Sequence, residues 1–473
     1  MKNVSTPGAA FGRRGFLGLA GAAAVTAALA ACSSGGSTAN TTGTSGKVSG
    51  PLTLWYGLPT GGSSAQGAAL YKKYSIDPFT HRYPGVTVNA IPNSYNNIDQ
   101  KIQVALAAGA GPDLIPTPGS SNALPYAAAG YLADLSANAK KTDLKSRILP
   151  WALDMASYKG KLVALPTSYE TLVVYYNKTL FAKNGWAPPT DRASLEQLAG
   201  QMQAKGITPF AAGNASYQPA TEWLVSAFVN QVAGPQNVHA ALSGSIPWTD
   251  SSIAASIQLL KDYFDKGWFG GGVKQYFTTQ DPQKYAGFAD GKSAMFISGS
   301  WEMFSLPDYF GKNGNKNEWD WAVLPPLAPG VPSDIYPLAV GGTMSVNAKS
   351  KNPAAAMAYL DWMFSDTKTM WASAKATGSE PLPIRFAPSD VPAGVDPRYI
   401  RQYEELNKAS DEKRVGYVTW TSWGPKADSY IVQHIDKVLN NNLSVSAFCA
   451  GLDQAYQADK KAGLIPTLFD TAK

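Results

Sequence analysis

The residues able to do chemistry are few and scattered. His81, His239 and His434 are far apart, with no H-E-x-x-H spacing, and no G-x-S-x-G elbow presents a serine nucleophile. Cys32 and Cys449 are the only thiols, too few for a zinc site, and Cys449 reads as a small core residue. The 34 acidic residues leave room for a carboxylate pair that meets only in space, as in a glycoside hydrolase. Rings are plentiful instead: 13 Trp, 23 Tyr and 17 Phe against 16% charged residues. That balance favours a globular protein with an aromatic binding surface over a disordered or nucleic-acid-binding one. Of the formal charge of +6, Lys2, Arg13 and Arg14 supply half, leaving too little for an anion-binding field.

The elements that must position these residues centre on Tyr158–Asn184. Lys159-Gly160 reads as a tight turn between two strands. Leu162–Leu165 is a short apolar run stopped by Pro166, which cannot donate to a central ladder. After a polar interval containing Glu170, Leu172–Tyr176 is a second β-rich run closed by Asn177. Two buried strands joined in this way suit a chain crossing between lobes. Upstream, Pro51–Gly57, Val86–Ile91 and the start at Gly111–Ile115 read as strands. They alternate with helices around Tyr71–Phe79 and after Asp99, which is placed to cap its helix. This implies an α/β fold with mainly parallel sheets. Ligands then sit outside the carboxyl ends of the strands, where Trp55-Tyr56 and Thr117–Ser121 fall.

Downstream, Leu195–Lys205 and Ile253–Phe264 read as helices, and Trp268-Phe269 as core. Tyr217–Trp223 is a polar-aromatic loop entering another helix. Ala294–Ile297 is a buried strand that presents a Gly-lined turn and Trp301. Trp319–Pro329 reads as a strand and Pro-rich return to the first lobe, and Ala339–Val346 as a buried strand with close approach at Gly341 and Gly342. Pro381-Leu382-Pro383 marks a last crossing. Helices around 397–408, 427–439 and 445–461 complete the second lobe.

GKLVALPTSYE followed by VVYYNKTLFAKNG, and the Gly291–Met295 and Gly299–Trp301 element, carry a resemblance. They are similar to the hinge and second-lobe signatures of bacterial extracellular solute-binding proteins of sugar ABC transporters, the maltose-binding-protein-like family. AAGAGPDLI and GYLADLS resemble its first-lobe landmarks. The resemblance implies a two-lobed periplasmic-binding-protein-like fold joined by a multi-strand hinge. It implies a first lobe of 51–168 with 326–386, and a second of 169–325 with 387–473. It also implies a monomer that binds a mono- or oligosaccharide without turnover, cofactor, metal or nucleic acid. This monomer would dock on ABC permease subunits driven by a separate ATPase. Glu170 and Trp301 match the family's ligand-contacting hinge Glu and second-lobe Trp. A flat ring covers the C–H face of a pyranose while polar groups take its hydroxyl rim. Trp55, Tyr56, Ser120, Trp223, Gly341, Trp420 and Trp423 are further candidates. The maltose-binding branch carries a stacking Trp and charged residues where this chain has Thr117, Ser120 and Ser121, so that half of the site departs from the pattern. A secreted glycoside hydrolase is the competing class.

Residues 1–31 read as a signal peptide: Arg13-Arg14, an apolar run to Ala31, then Leu29-Ala30-Ala31-Cys32, which resembles a lipobox. The run is shorter than the ~20 residues of a spanning helix. Gly12 departs from the twin-arginine pattern, which usually has Ser or Thr there. Residues 32–50 are Ser/Gly/Thr/Asn-rich and read as a flexible tether to the outer face of the cytoplasmic membrane. Cys32→Ser is expected to move the protein from the membrane fraction to the soluble one. Unchanged partition and gel mobility would exclude a lipid on this thiol.

Overall fold

The computed structural model describes residues 48–58, 64–94, 97–311, 314–377 and 380–471. The expected signal peptide, Cys32 and the tether up to residue 47 lie outside them. Strand β1 (Gly50–Leu58) buries Leu52, Leu54 and Tyr56 on one face, the period-2 alternation of a half-covered strand. It pairs in parallel with β2 (Val86–Ser94) and with β3 (Leu114–Thr117). The Asp113 carboxylate ties this edge together, accepting from Thr53 N at 2.8 Å and Ser350 Oγ at 2.6 Å. The helix before β3 runs Ile98–Ala107 with Asn97 at the cap position, so Asp99 sits inside its first turn and does not cap it.

A small hairpin, β4 (Ser157–Tyr158) and β5 (Lys161–Leu162), turns through Lys159 and Gly160, both left-handed at φ 49° and 77°. Positive φ at both central positions is the turn whose twist matches an antiparallel pair, which is why Gly stands there. The chain then crosses between sheets. β6 (Leu165–Pro166) is an edge of the first sheet and β7 (Glu170–Asn177) lies inside the second. The second sheet adds β8 (Thr208–Phe210), β9 (Ser293–Gly299) and β10 (Trp319–Ala322). β11 (Tyr336–Ala339) also lies in this sheet, paired with β7. β12 (Thr343–Val346) is inserted between β3 and β6 in the first sheet, and β13 (Val415–Tyr417) flanks β11 in the second. The architecture is the expected α/β one, with mixed sheets: the parallel pairs lie toward the edges and the crossing strands run antiparallel.

Two boundaries differ from the sequence expectation. The resemblance places 326–386 wholly in the first lobe, but β11 belongs to the second sheet, so the return falls at Val340–Gly342. The Pro-rich run before it stays with the second lobe, where Leu327 N donates to Gln231 O at 2.7 Å. The expected single strand Ala339–Val346 is therefore two strands with a crossing between them.

The two crossings form one ribbon. Leu165 and Pro166 oppose Met344 and Thr343, Thr167 N donates to Gly342 O at 2.8 Å, and Glu170 and Thr171 oppose Ala339 and Leu338. The pairing register is the same on both sides of the gap. The third crossing, near Pro381–Pro383, is held by Tyr169 N donating to Pro381 O at 3.0 Å and Leu149 N to Pro383 O at 2.8 Å. Beyond it, helix Pro397–Asp411 packs on the second sheet, with the Arg398 guanidinium 3.6 Å above the Trp319 ring and Arg401 paired with Asp320 at 2.6 Å.

The helix Ser251–Asp265 buries Ile253, Ile257, Leu260 and Phe264 as its periodicity predicts, and Trp268, Phe269 and the free thiol Cys449 are buried. Among the described residues no helix is long and apolar enough to cross a membrane. Asn177, fully buried, closes β7. Its Oδ1 accepts from Leu180 N at 2.9 Å at the start of helix Lys178–Asn184, and its Nδ2 donates to Phe288 O and Ala289 O. Asn177→Ala strands these three groups and is expected to cost about 2–3 kcal/mol in a denaturant titration. A loss below about 0.5 kcal/mol would show the cap to be dispensable.

Candidate functional site in the cleft between the sheets

The turn after β9 builds the first part of the site. Ser300 N donates to Thr171 O at 3.0 Å, extending the β7–β9 pairing, and the chain then bends so that the Trp301 indole folds back over Gly299. A Cβ on Gly299 would lie 2.1 Å from that ring, so glycine is required there. Half-buried Trp301 meets Trp223, on helix Ala220–Phe228, at a centroid distance of 4.8 Å and 59°. It meets Trp420, on the turn Thr419–Ser422, at 5.8 Å and 65°. Tyr217 stacks on Trp223 at 5.7 Å and 23° and is 43% exposed. These are edge and offset geometries that leave ring faces available to a further partner.

Glu170 stands at the start of β7, opposite Ala339, with its carboxylate lying against Gly341. A Cβ on Gly341 would fall 1.8 Å from Glu170 Oε1, so the second crossing must carry glycine for the carboxylate to sit there. Burial, then the charge of Glu380, hold the Glu170 carboxyl well above the usual range. Glu380 itself is pushed up to about 7, by burial first and by Glu302 after it. A second acidic pair lies under the ring wall. Burial and then Asp428 raise Glu222, while burial pushes Asp428 to about 6.

The structure thus gathers Glu170, Gly341, Trp301 and Trp223, with Trp420 and Tyr217, around the turn after β9 and the crossings. The other candidates lie elsewhere. Trp55 packs on the first-lobe cluster containing Ile98, Ile102 and Leu106. Tyr56 is buried, stacked on Tyr71 at 4.0 Å and 8°. Ser120 is buried in the first turn of helix Ser120–Ala128, where the first lobe touches the second: Ser121 Oγ donates to Trp423 O, and a Cβ on Gly119 would lie 2.7 Å from Thr421 Cγ2. Trp423 is buried against Trp248 at 4.4 Å. Glu380 escaped the sequence reading. Its only signal there is being the sole charge between Lys375 and Arg385, beside Pro381. Among the described residues no cluster of His, Cys, Asp and Glu is arranged to hold a metal.

The family model for bacterial extracellular solute-binding proteins matches residues 75–391, and the chain belongs to that family. An uncharacterised ABC transporter extracellular-binding protein of Pyrococcus horikoshii is 23% identical over 383 residues, 80% of each chain. The diacetylchitobiose binding protein NgcE of Streptomyces coelicolor is 23% identical over 315 residues, 63% of each. A solved structure of a chitin oligosaccharide binding protein superposes with a TM-score of 0.73 at 21% identity, covering 88% of this chain and 99% of that one. These structural likenesses establish the two-lobed fold.

The placement of Trp423 yields a direct test. Trp423→Ala empties a site filled against Trp248 and is expected to lower stability by about 3–5 kcal/mol. Calorimetry showing an unchanged melting temperature would mean the ring is not core.

Proposed function

We infer that the protein captures a neutral carbohydrate, an oligosaccharide in particular, between its lobes and releases it unchanged to an ABC importer. The observation that carries this reading is the wall of Tyr217, Trp223, Trp301 and Trp420 beside the hinge carboxyl of Glu170. Rings supply area for sugar C–H faces, and buried polar groups left unpaired by a wrong ligand supply selectivity. The Streptomyces relative binds diacetylchitobiose and the superposed structure is a chitin oligosaccharide binding protein, which supports the class. In this reading the lobes rotate about the three crossings, and a ligand touching both favours closure by its differential affinity. The exported protein works as a monomer, tethered through Cys32 to the outer face of the cytoplasmic membrane, where the closed form docks on permease subunits with a separate ATPase.

The test is a thermal-shift screen of chito-, malto- and xylo-oligosaccharides and monosaccharides, against amino acids, peptides and polyamines. A specific ligand at ~100 times its Kd adds ~2.7 kcal/mol, roughly a 5–10 °C rise for lobes of this size. Trp301→Ala is expected to weaken binding about 10-fold or more while melting near the parent, since one stacked ring is worth roughly 1–3 kcal/mol. A shift with peptides or polyamines alone overturns the ligand class. Release of reducing ends at enzyme-like rates promotes the glycoside hydrolase reading.

A further inference from the structure

One helix carries Trp223 and also reaches the segment that carries Trp420. On helix Ala220–Phe228 and the π-turn Val229–Ala233 that continues it, Glu222, Ser226 and Asn230 recur every four residues, and all three are buried. Residues at that spacing share one side of a helix. Here the shared side is polar, and it faces Tyr417 and Thr419.

Asn230 stands where a further strand would stand. β13 is the edge of the second sheet, with β11 as its one neighbour. Asn230 Oδ1 accepts from Tyr417 N at 3.0 Å, and its Nδ2 donates to Tyr417 O at 2.6 Å and to Ser226 O at 2.7 Å. The amide thus gives Tyr417 the donor and acceptor that a neighbouring backbone would give, and it covers an open edge. A Cβ on Gly416 would lie 2.1 Å from Asn230 Oδ1, so glycine there lets the amide in.

Two residues on, Ser226 and Thr419 form a relay. Thr419 N donates to Ser226 Oγ at 2.9 Å, Ser226 Oγ to Thr419 Oγ1 at 3.1 Å, and Thr419 Oγ1 to Glu222 Oε2 at 3.5 Å. Each hydroxyl gives its one proton, and rotating either would strand a buried partner. Trp420 is the next residue, its ring 5.8 Å from that of Trp301. We propose that Ser226 and Asn230 are positioning residues for the aromatic wall: acting through Tyr417 and Thr419, they hold Trp420 against Trp301, so that a single helix sets both Trp223 and Trp420. A contact ring keeps its place only where the backbone beneath it is fixed. That these rings receive a saccharide rests on the carbohydrate reading; how they are held does not.

The experiment is fluorine NMR of the full chain labelled with 5-fluorotryptophan, with no ligand added. Its 13 indoles are assigned by Trp→Phe variants taken one at a time. Ring currents make the Trp420 and Trp301 shifts report the distance and angle between the two. In Ser226→Ala both resonances are expected to move by more than their parental linewidths, while Trp55 and Trp362 of the first lobe stay in place. Gly416→Ala, which pushes the Asn230 amide off the strand, is expected to move the same pair. A folded Ser226→Ala with Trp420 at its parental shift overturns the proposal, since the polar stripe then serves stability alone. A change spread evenly over all the indoles is general loosening and overturns it too. A folded Gly416→Ala that leaves Trp420 in place overturns the part given to Asn230. If Ser226→Ala fails to fold, Gly416→Ala decides in its stead; failure of both shows that the stripe holds the lobe rather than the ring, and the proposal falls. Because no ligand is present, every result leaves the carbohydrate reading to its own test.

Discussion

One antiparallel ribbon, residues 165–171 against 338–344, belongs to both sheets at once. Its register is continuous from Leu165–Met344 in the first sheet to Thr171–Leu338 in the second, with Thr167 and Gly342 hydrogen-bonded in the gap. A hinge made this way bends by twisting a paired ribbon without parting its ladder, so the strands at either end keep their hydrogen bonds throughout. Gly341 and Gly342 give the ribbon its freedom at the point where no sheet supports it. The third crossing lies alongside, joined to the ribbon by the Tyr169 N to Pro381 O bond, and acts as a stay rather than an axle.

The aromatic wall depends on that ribbon. β7 continues from it and pairs with β9; the turn after β9 carries Trp301, whose ring meets those of Trp223 and Trp420. Each step has a small residue where a side chain would collide: Gly341 under the Glu170 carboxylate, Gly299 under the Trp301 indole, Gly119 against Thr421. The acids nearest the wall and hinge share a physical state as well. Glu170, Glu222, Glu302 and Glu380 are all raised by burial, so this region is less negative than its residue types suggest. That suits a neutral, hydroxyl-rich ligand better than a cation.

Much of this was legible in the sequence, and for identifiable reasons. The turn at Lys159-Gly160, the run Leu172–Tyr176 and the stripe Ile253–Phe264 are local patterns whose physics is complete within a few residues. Trp301 and Glu170 stand out through the family resemblance, because each occupies a position that matches the family's second-lobe Trp or hinge Glu. Tertiary pairing was not legible. Ala339–Val346 reads as one strand because every residue is apolar or small, and nothing local records that its halves join different sheets. Trp55, Tyr56 and Trp423 carry the same ring chemistry as Trp301 and end in different surroundings, since a ring's role is decided by what packs on it. Glu380 was invisible, because nothing local marks it and the carboxyl that its charge raises, Glu170, lies about two hundred residues away.

The position of β12 has a consequence for how the chain acquires its shape. The first sheet runs β2-β1-β3-β12-β6, so the strand separating β3 from β6 is made after the greater part of the second lobe. A nascent chain that stops short of Val346 has a gap in the middle of its first sheet, with β3 and β6 each showing an unpaired edge. Such distant pairing is slow to form and exposes strand edges while it waits. The order of synthesis therefore obliges the first sheet to close only after most of the second lobe has been made. A chaperone or export machine meeting the growing polypeptide encounters an unsealed sheet until almost three-quarters of the chain has emerged.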